Sequence, residues 1–218
     1  MAVGTDSAEL KKLLRSNECE FVSLGYNCDV AQLLRYSNLR KKAYPFDWCI
    51  TPIDSVVRLV ENNFYGFLDS GSLDFSEPHR ALFFEESKHH IVEADKIVVT
   101  AKCSHYNMVF PHDFSDASQE VYEEVVQKYL SRIERFLDLM KSERFVVFVF
   151  NPKGDSSGRQ IDIFNEMLTL KYPDLNYRIY NIGLLKSVLN ESLVKKVSIF
   201  IGRKKQQLVK PVVRFFNK

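Results

Sequence analysis

Residues 144–182 read RFVVFVFNPKGDSSGRQIDIFNEMLTLKYPDLNYRIYNI, and the order of patterns inside this stretch decides the fold class. Phe145 to Phe150 form an unbroken apolar run. A strand without polar alternation suits a position covered on both faces, as in a parallel sheet. Residues 161–170 then space their apolar side chains as an amphipathic helix, and 177–182 returns to a strand. Strand, helix and strand in that order make a parallel βαβ unit. A further strand is expected over 197–201. The expected class is α/β, three-layered, with a mostly parallel central sheet and helices on both faces.

Upstream, residues 118–141 carry the clearest helical stripe, with Val121, Val125, Tyr129, Ile133, Phe136 and Met140 on a face that must be buried. Residues 96–101 (KIVVTA) and 105–110 (HYNMVF) read as strands, the second ending where Pro111 breaks it. With extended pieces near 81–84 and 89–92 they form an inserted β-hairpin region. Nearer the start, a helix is expected over 5–15, capped by Thr5, Asp6 or Ser7. A strand over 21–24 stops at Gly25 and is followed by a helix over 29–35. Thr51-Pro52-Ile53-Asp54 opens another helix that runs to about Asn62, with Thr51 as a candidate cap and Pro52 suited to the first turn. No repeat or linker divides the chain, so residues 1–218 are expected to form one domain.

Composition narrows the function classes. Of 218 residues, 45% are hydrophobic and 27% charged, which is the balance of a globular protein rather than a disordered or fibrous one. No apolar run approaches the ~18 residues of a membrane span. The first twenty residues lack the apolar core of a secretory signal, so the expected location is cytoplasmic. Thirty basic and 28 acidic side chains give a net charge of +2, too small to announce a nucleic-acid partner. Six of the basic residues, Arg203, Lys204, Lys205, Lys210, Arg214 and Lys218, fall after position 200 with no acid among them. The rest of the chain then holds 24 basic and 28 acidic residues, a net of −4. That segment is either a solvated terminal strand or a contact for an anionic partner.

Four cysteines, Cys19, Cys28, Cys49 and Cys103, show no Cys-x-x-Cys pair and no histidine at finger spacing. No metal and no cofactor are expected, and the thiols are expected to be free. Cys28 has the most informative context. Ser23-Leu24-Gly25-Tyr26-Asn27-Cys28 runs from a strand through a glycine turn to a thiol at the start of a helix. Backbone N–H groups and the helix dipole stabilise a thiolate there and supply donors for an oxyanion. The same pattern also fits a small residue buried at a crowded turn. The other three cysteines read as packing.

A thiol nucleophile needs a base, and five histidines are available: His79, His89, His90, His105 and His112. His112 lies in Phe110-Pro111-His112-Asp113-Phe114, a polar pair enclosed by aromatics and a proline that can hold an imidazole rigidly. His89 and His90 follow a charged stretch and read as a solvated edge. Pro45-Phe46-Asp47-Trp48 sets an acid between large aromatics, where Asp47 either orients the histidine or binds a substrate cation, or else forms a turn or caps the helix near Thr51. Side chains alternate along an extended segment, so Asp113 would point away from its neighbour His112, which ranks Asp47 above Asp113 as the orienting acid. Arg132 and Arg135, three apart on the long helix, either bind a substrate carboxylate or phosphate or pair with the nearby acids Glu134 and Asp138. The loop 151–158 would meet the Gly25 turn and the segment after Ala101 at the carboxyl ends of the strands, where open α/β sheets bind ligands.

Four motifs in the same order, Ser-Leu-Gly-x-Asn-Cys at 23–28, Pro-Phe-Asp-Trp at 45–48, His-Asp-Phe at 112–114 and Tyr129-x-x-Arg132-Ile-x-Arg135-Phe136, resemble those of a family of unknown function described as putative papain-like cysteine peptidases. The resemblance spans roughly residues 20–150. It implies Cys28 as nucleophile, His112 as base and Asp47 or Asp113 as a third member. The function expected is a cysteine-dependent hydrolase or acyl transferase acting on a protein or small-molecule acyl substrate, with N–H groups around Asn27 and Cys28 stabilising the oxyanion. The alternative is a non-enzymatic α/β module that binds an anionic ligand, such as a sugar phosphate or nucleotide, through Arg132, Arg135 and the 151–158 loop.

Overall fold

The apolar run 145–150 is the central strand of a parallel sheet. A computed structural model describes residues 3–16, 18–86, 91–155 and 157–189, with side chains described except over 81–95. Strand β6 (Phe145–Phe150) lies between β1 (Cys19–Ser23) and β7 (Tyr177–Asn181), and both pairings are parallel. Its side chains divide between two cores, as a strand covered on both faces requires. Val146, Phe148 and Phe150 join a cluster with residues of α3 (Ile53–Glu61), α4 (Gln119–Met140) and α5 (Gln160–Lys171). Val147 and Val149 join another with α1 (Ser7–Arg15), α2 (Cys28–Tyr36) and α6 (Ile182–Val188).

The remaining described strands are antiparallel. β4 (Ile91–Cys103) pairs with β3 (His79–Glu86), with β2 (Leu73–Phe75) and with β5 (Met108–Phe114). Ala101 faces both Phe75 and Phe110, so β2 and β5 flank β4 on opposite sides. This second sheet shares the larger core with the parallel one, since Val99, Ala101, Phe110 and Phe114 pack in the same cluster as Val22 and Phe148. The molecule is therefore a mixed α/β fold. The expected mostly parallel central sheet must be corrected: three described strands are parallel and four are antiparallel. The reason is that the hairpin region builds a sheet of its own around the 13-residue β4 rather than extending the parallel ladder.

Several helices begin at a side-chain cap, Asp6 among those expected from sequence. The Asp6 carboxylate accepts from Ala8 N–H, Asn27 accepts from Asp29 N–H, and Ser118 accepts from Val121 N–H. Thr51 does not cap α3, which begins after Pro52 without a side-chain cap. Pro111 does not end β5. Val99 pairs with Phe114 and Ala101 with Phe110, so three residues, Pro111, His112 and Asp113, stand opposite the single Thr100. The irregularity takes in the proline where no ladder donor is needed. The expected strand at 197–201, His89, His90 and the basic segment after position 200 lie outside the described residues. Among the described residues, no helix is long and apolar enough to cross a membrane.

Candidate active site

Cys28 owes its position to the turn that precedes it. After β1, Leu24 N–H donates to Val149 O at 2.9 Å, which keeps the chain on the parallel sheet for one more residue. Gly25 then adopts φ +80, with Thr51 Cβ 3.1 Å and Phe46 O 3.3 Å from where a Cβ would stand. Only glycine fits that conformation in that space without strain. Tyr26 follows at φ 71, unusual for a residue with a side chain, and its N–H is held by Thr51 O at 3.0 Å. Asn27 Oδ1 accepts from Asp29 N–H at 3.0 Å and starts α2. Cys28 is thus the first residue of a nine-residue helix, 7% exposed, at its positive end.

The second wall is the segment 44–51. An antiparallel bridge between Ile50 and Val109 ties it to β5. Asp47 is fully buried, and its Oδ2 accepts from Arg40 Nη1 at 2.8 Å and from Tyr44 N–H at 2.9 Å. Burial pushes the Asp47 carboxyl above its ordinary value, against the pull of Arg40, the Tyr44 amide and Arg132. The same Arg40 lies 5.1 Å from the centre of the Trp48 ring. Arg40 therefore ties the acid and the neighbouring aromatic into one unit. The Trp48 carbonyl stands 3.9 Å from Cys28 Sγ.

The third wall is the irregular part of β5. It turns His112 so that Nε2 is 3.6 Å from Cys28 Sγ, within hydrogen-bonding reach for sulfur. The Trp48 and His112 rings meet edge to face with centres 6.4 Å apart. Asp113 goes elsewhere: its side chain, 5% exposed, accepts from Lys128 Nζ at 2.5 Å and from Tyr129 OH at 3.0 Å, both on α4. Burial would raise this carboxyl, but Lys128, His112 and Arg132 outweigh it and hold it below its ordinary value.

The two arginines of the long helix meet different groups. Arg132 is 7% exposed, with its guanidinium 4.9 Å from the centre of the Tyr129 ring. Burial works against its charge, but Tyr129, Asp113 and Asp47 hold its pKa above the ordinary value. Arg135 directs Nε and Nη2 to the carbonyl of Ala43, on the chain leading into the second wall. The expected meeting of the 151–158 loop with the Gly25 turn is seen at Gly154, where a Cβ would fall 2.8 Å from Tyr26 Cβ. Cys49 is buried with Sγ 3.0 Å from Thr51 Oγ1, and burial raises its thiol pKa. Among the described residues, no three His, Cys, Asp or Glu side chains converge as a metal would require.

Arg40, Trp48, Lys128 and Tyr129 were not singled out from sequence as parts of the site. Trp48 and Tyr129 stood inside recognised motifs, which was a usable signal. Arg40 had none, because an ion pair seven residues apart in a loop has no periodic signature.

No solved structure matches the chain. A protein of Acanthamoeba polyphaga mimivirus, described as uncharacterized, is 28% identical over 171 residues, covering 71% of this chain and 74% of the viral one. A family model described as putative papain-like cysteine peptidase matches residues 19–184, a span that holds Cys28, Asp47, His112 and the long helix together. The chain belongs to that family.

Proposed function

We propose that this chain is a cysteine-dependent hydrolase or acyl transferase in which Cys28 and His112 form the reacting pair. One observation carries the reading: a cysteine at the first position of a helix and a histidine 84 positions later in the chain lie with sulfur and Nε2 3.6 Å apart. The helix terminus favours the thiolate, and the imidazole takes the thiol proton. Cys28 Sγ attacks the acyl carbon, and the N–H groups at the start of α2 face the developing oxyanion. His112 then protonates the departing group, leaving a thioester on Cys28. Water resolves it in hydrolysis, and another nucleophile in transfer.

Asp47 and Asp113 act as positioning residues in this scheme. Asp113 anchors the strand next to His112 onto α4, and Asp47 fixes Arg40 against Trp48. Asn27, as the cap of α2, sets the direction of the amides around the thiol.

Alkylation by iodoacetamide tests the pair. All four cysteines are buried, and Cys28, at 7% exposed, is the most accessible of them and the one at a helix start beside an imidazole, so Cys28→Ala is expected to remove the fast phase of labelling. His112→Ala is expected to slow that phase by about a hundredfold or more at neutral pH, the usual worth of a positioned base. Circular dichroism confirms that each variant is folded. A fast phase unchanged in either folded variant overturns the assignment.

A further inference from the structure

Beside the reacting pair runs a groove of about 350 Å³ to which His112 contributes and Cys28 does not. Ile97 and Val98 of β4 line it, together with Val121 and Val125 of α4. Ile97 is 62% exposed, a large aliphatic side chain open to solvent beside the site. The charges of the lining balance by sign. Asp113 is paired with Lys128, and Lys96 and Glu124 add one charge of each sign. A half-open groove of this size, with these aliphatic side chains set between charges that cancel, suits a small uncharged apolar group.

The side on which the groove lies tells which half of a substrate it would hold. In thiol acyl transfer the sulfur bonds to the acyl carbon, while the imidazole faces the atom that departs. Resting on the Cys28 and His112 reading, we infer that this groove is the leaving-group subsite and that it selects acyl compounds whose departing half carries an uncharged aliphatic group. The Sγ–C bond forms as the bond from carbon to the departing heteroatom breaks, and the proton on His112 Nε2 passes to that heteroatom. The reverse geometry holds for the second step. An acceptor amine, alcohol or thiol of the same aliphatic class occupies the groove, gives its proton to His112 and takes the acyl group from sulfur.

Two measurements on the full chain decide the matter. Thioesters of one acyl group, hippuryl, are compared with 3-methylbutanethiol and 2-mercaptoethanesulfonate as leaving thiols. The aliphatic thioester is expected to have kcat/KM at least about tenfold higher, the scale on which an apolar pocket discriminates. Ile97→Asp, at an exposed position that tolerates a charge, should bring the ratio near one. Independently of turnover, 3-methylbutan-1-ol should shift the methyl resonances of Ile97, Val121 and Val125 saturably, and those of Val121 and Val125 less so in Ile97→Asp. Equal kcat/KM values for the two thioesters, or no saturable methyl shift, overturn the subsite. Failure of the catalytic reading looks different. It shows as iodoacetamide labelling insensitive to His112→Ala, and the alcohol titration then still decides whether the groove takes this class of ligand.

Discussion

Asp113 stands next to His112 in the chain and is held by groups on another element. Its two oxygens meet Lys128 and Tyr129 of α4, so its contribution is to fix the backbone from which the imidazole projects. Such a carboxylate should make stability depend on acid. Its folded pKa is below the ordinary value, so the ionised form stabilises the fold above the unfolded pKa and that contribution is lost as pH falls through the lower, folded one. Asp113→Asn is expected to cost about 2 kcal/mol in urea unfolding at pH 7, the scale of hydrogen bonds to a charged group. The gap between variant and parent should narrow below about pH 4. A gap that does not change with pH would mean that the carboxylate is not ionised in the fold. The alternation argument anticipated that Asp113 would turn away from the imidazole. It could not say toward what, since Lys128 and Tyr129 are brought close only by the packing of α4 on β5.

At the scale of elements, legibility followed locality. α4 was readable to within a residue or two because 22 residues repeat one helical stripe and Ser118 caps it. The strand, turn and helix that place Cys28 were readable because each signal lies within a few positions of the next. The irregular stretch of β5 was not. Pro111 signals a break, and only the partner strand reveals that pairing resumes at Phe114. That irregularity aims His112, so the half of the site that depends on cross-strand register was illegible beyond the residue types present. The strand β4 was likewise seen only in part, because its 13 residues lack a continuous apolar signature and are defined by three different partners. Contact between the loop after β6 and the turn before α2 makes a further expectation at this scale. Gly154→Ala would place a methyl group 2.8 Å from Tyr26 Cβ and 3.1 Å from its Cδ2. Overpacking of this kind costs about 1–3 kcal/mol. Displacement of Tyr26 should also slow alkylation of Cys28, two residues on. An unfolding midpoint and a labelling rate both equal to the parent's would show that loop and turn are not coupled.

Across the whole molecule, β6 unites the two cores, with Phe148 buried in one and Val147 and Val149 in the other. The antiparallel sheet joins the larger of them through Phe110 and Phe114. Neither core can be opened without exposing the strand they share. Chemical unfolding is therefore expected to be a single transition, with far-ultraviolet circular dichroism and tryptophan emission giving coincident curves. Separated midpoints would show that the antiparallel sheet melts on its own.

The chain contains a single tryptophan, Trp48, and its indole touches the His112 ring edge on. A protonated imidazole quenches indole light far more than a neutral one does. The protein thus carries a built-in optical gauge of the charge on the His112 ring: emission read against acidity, in the unlabelled molecule, reports when that ring gains or gives up its proton.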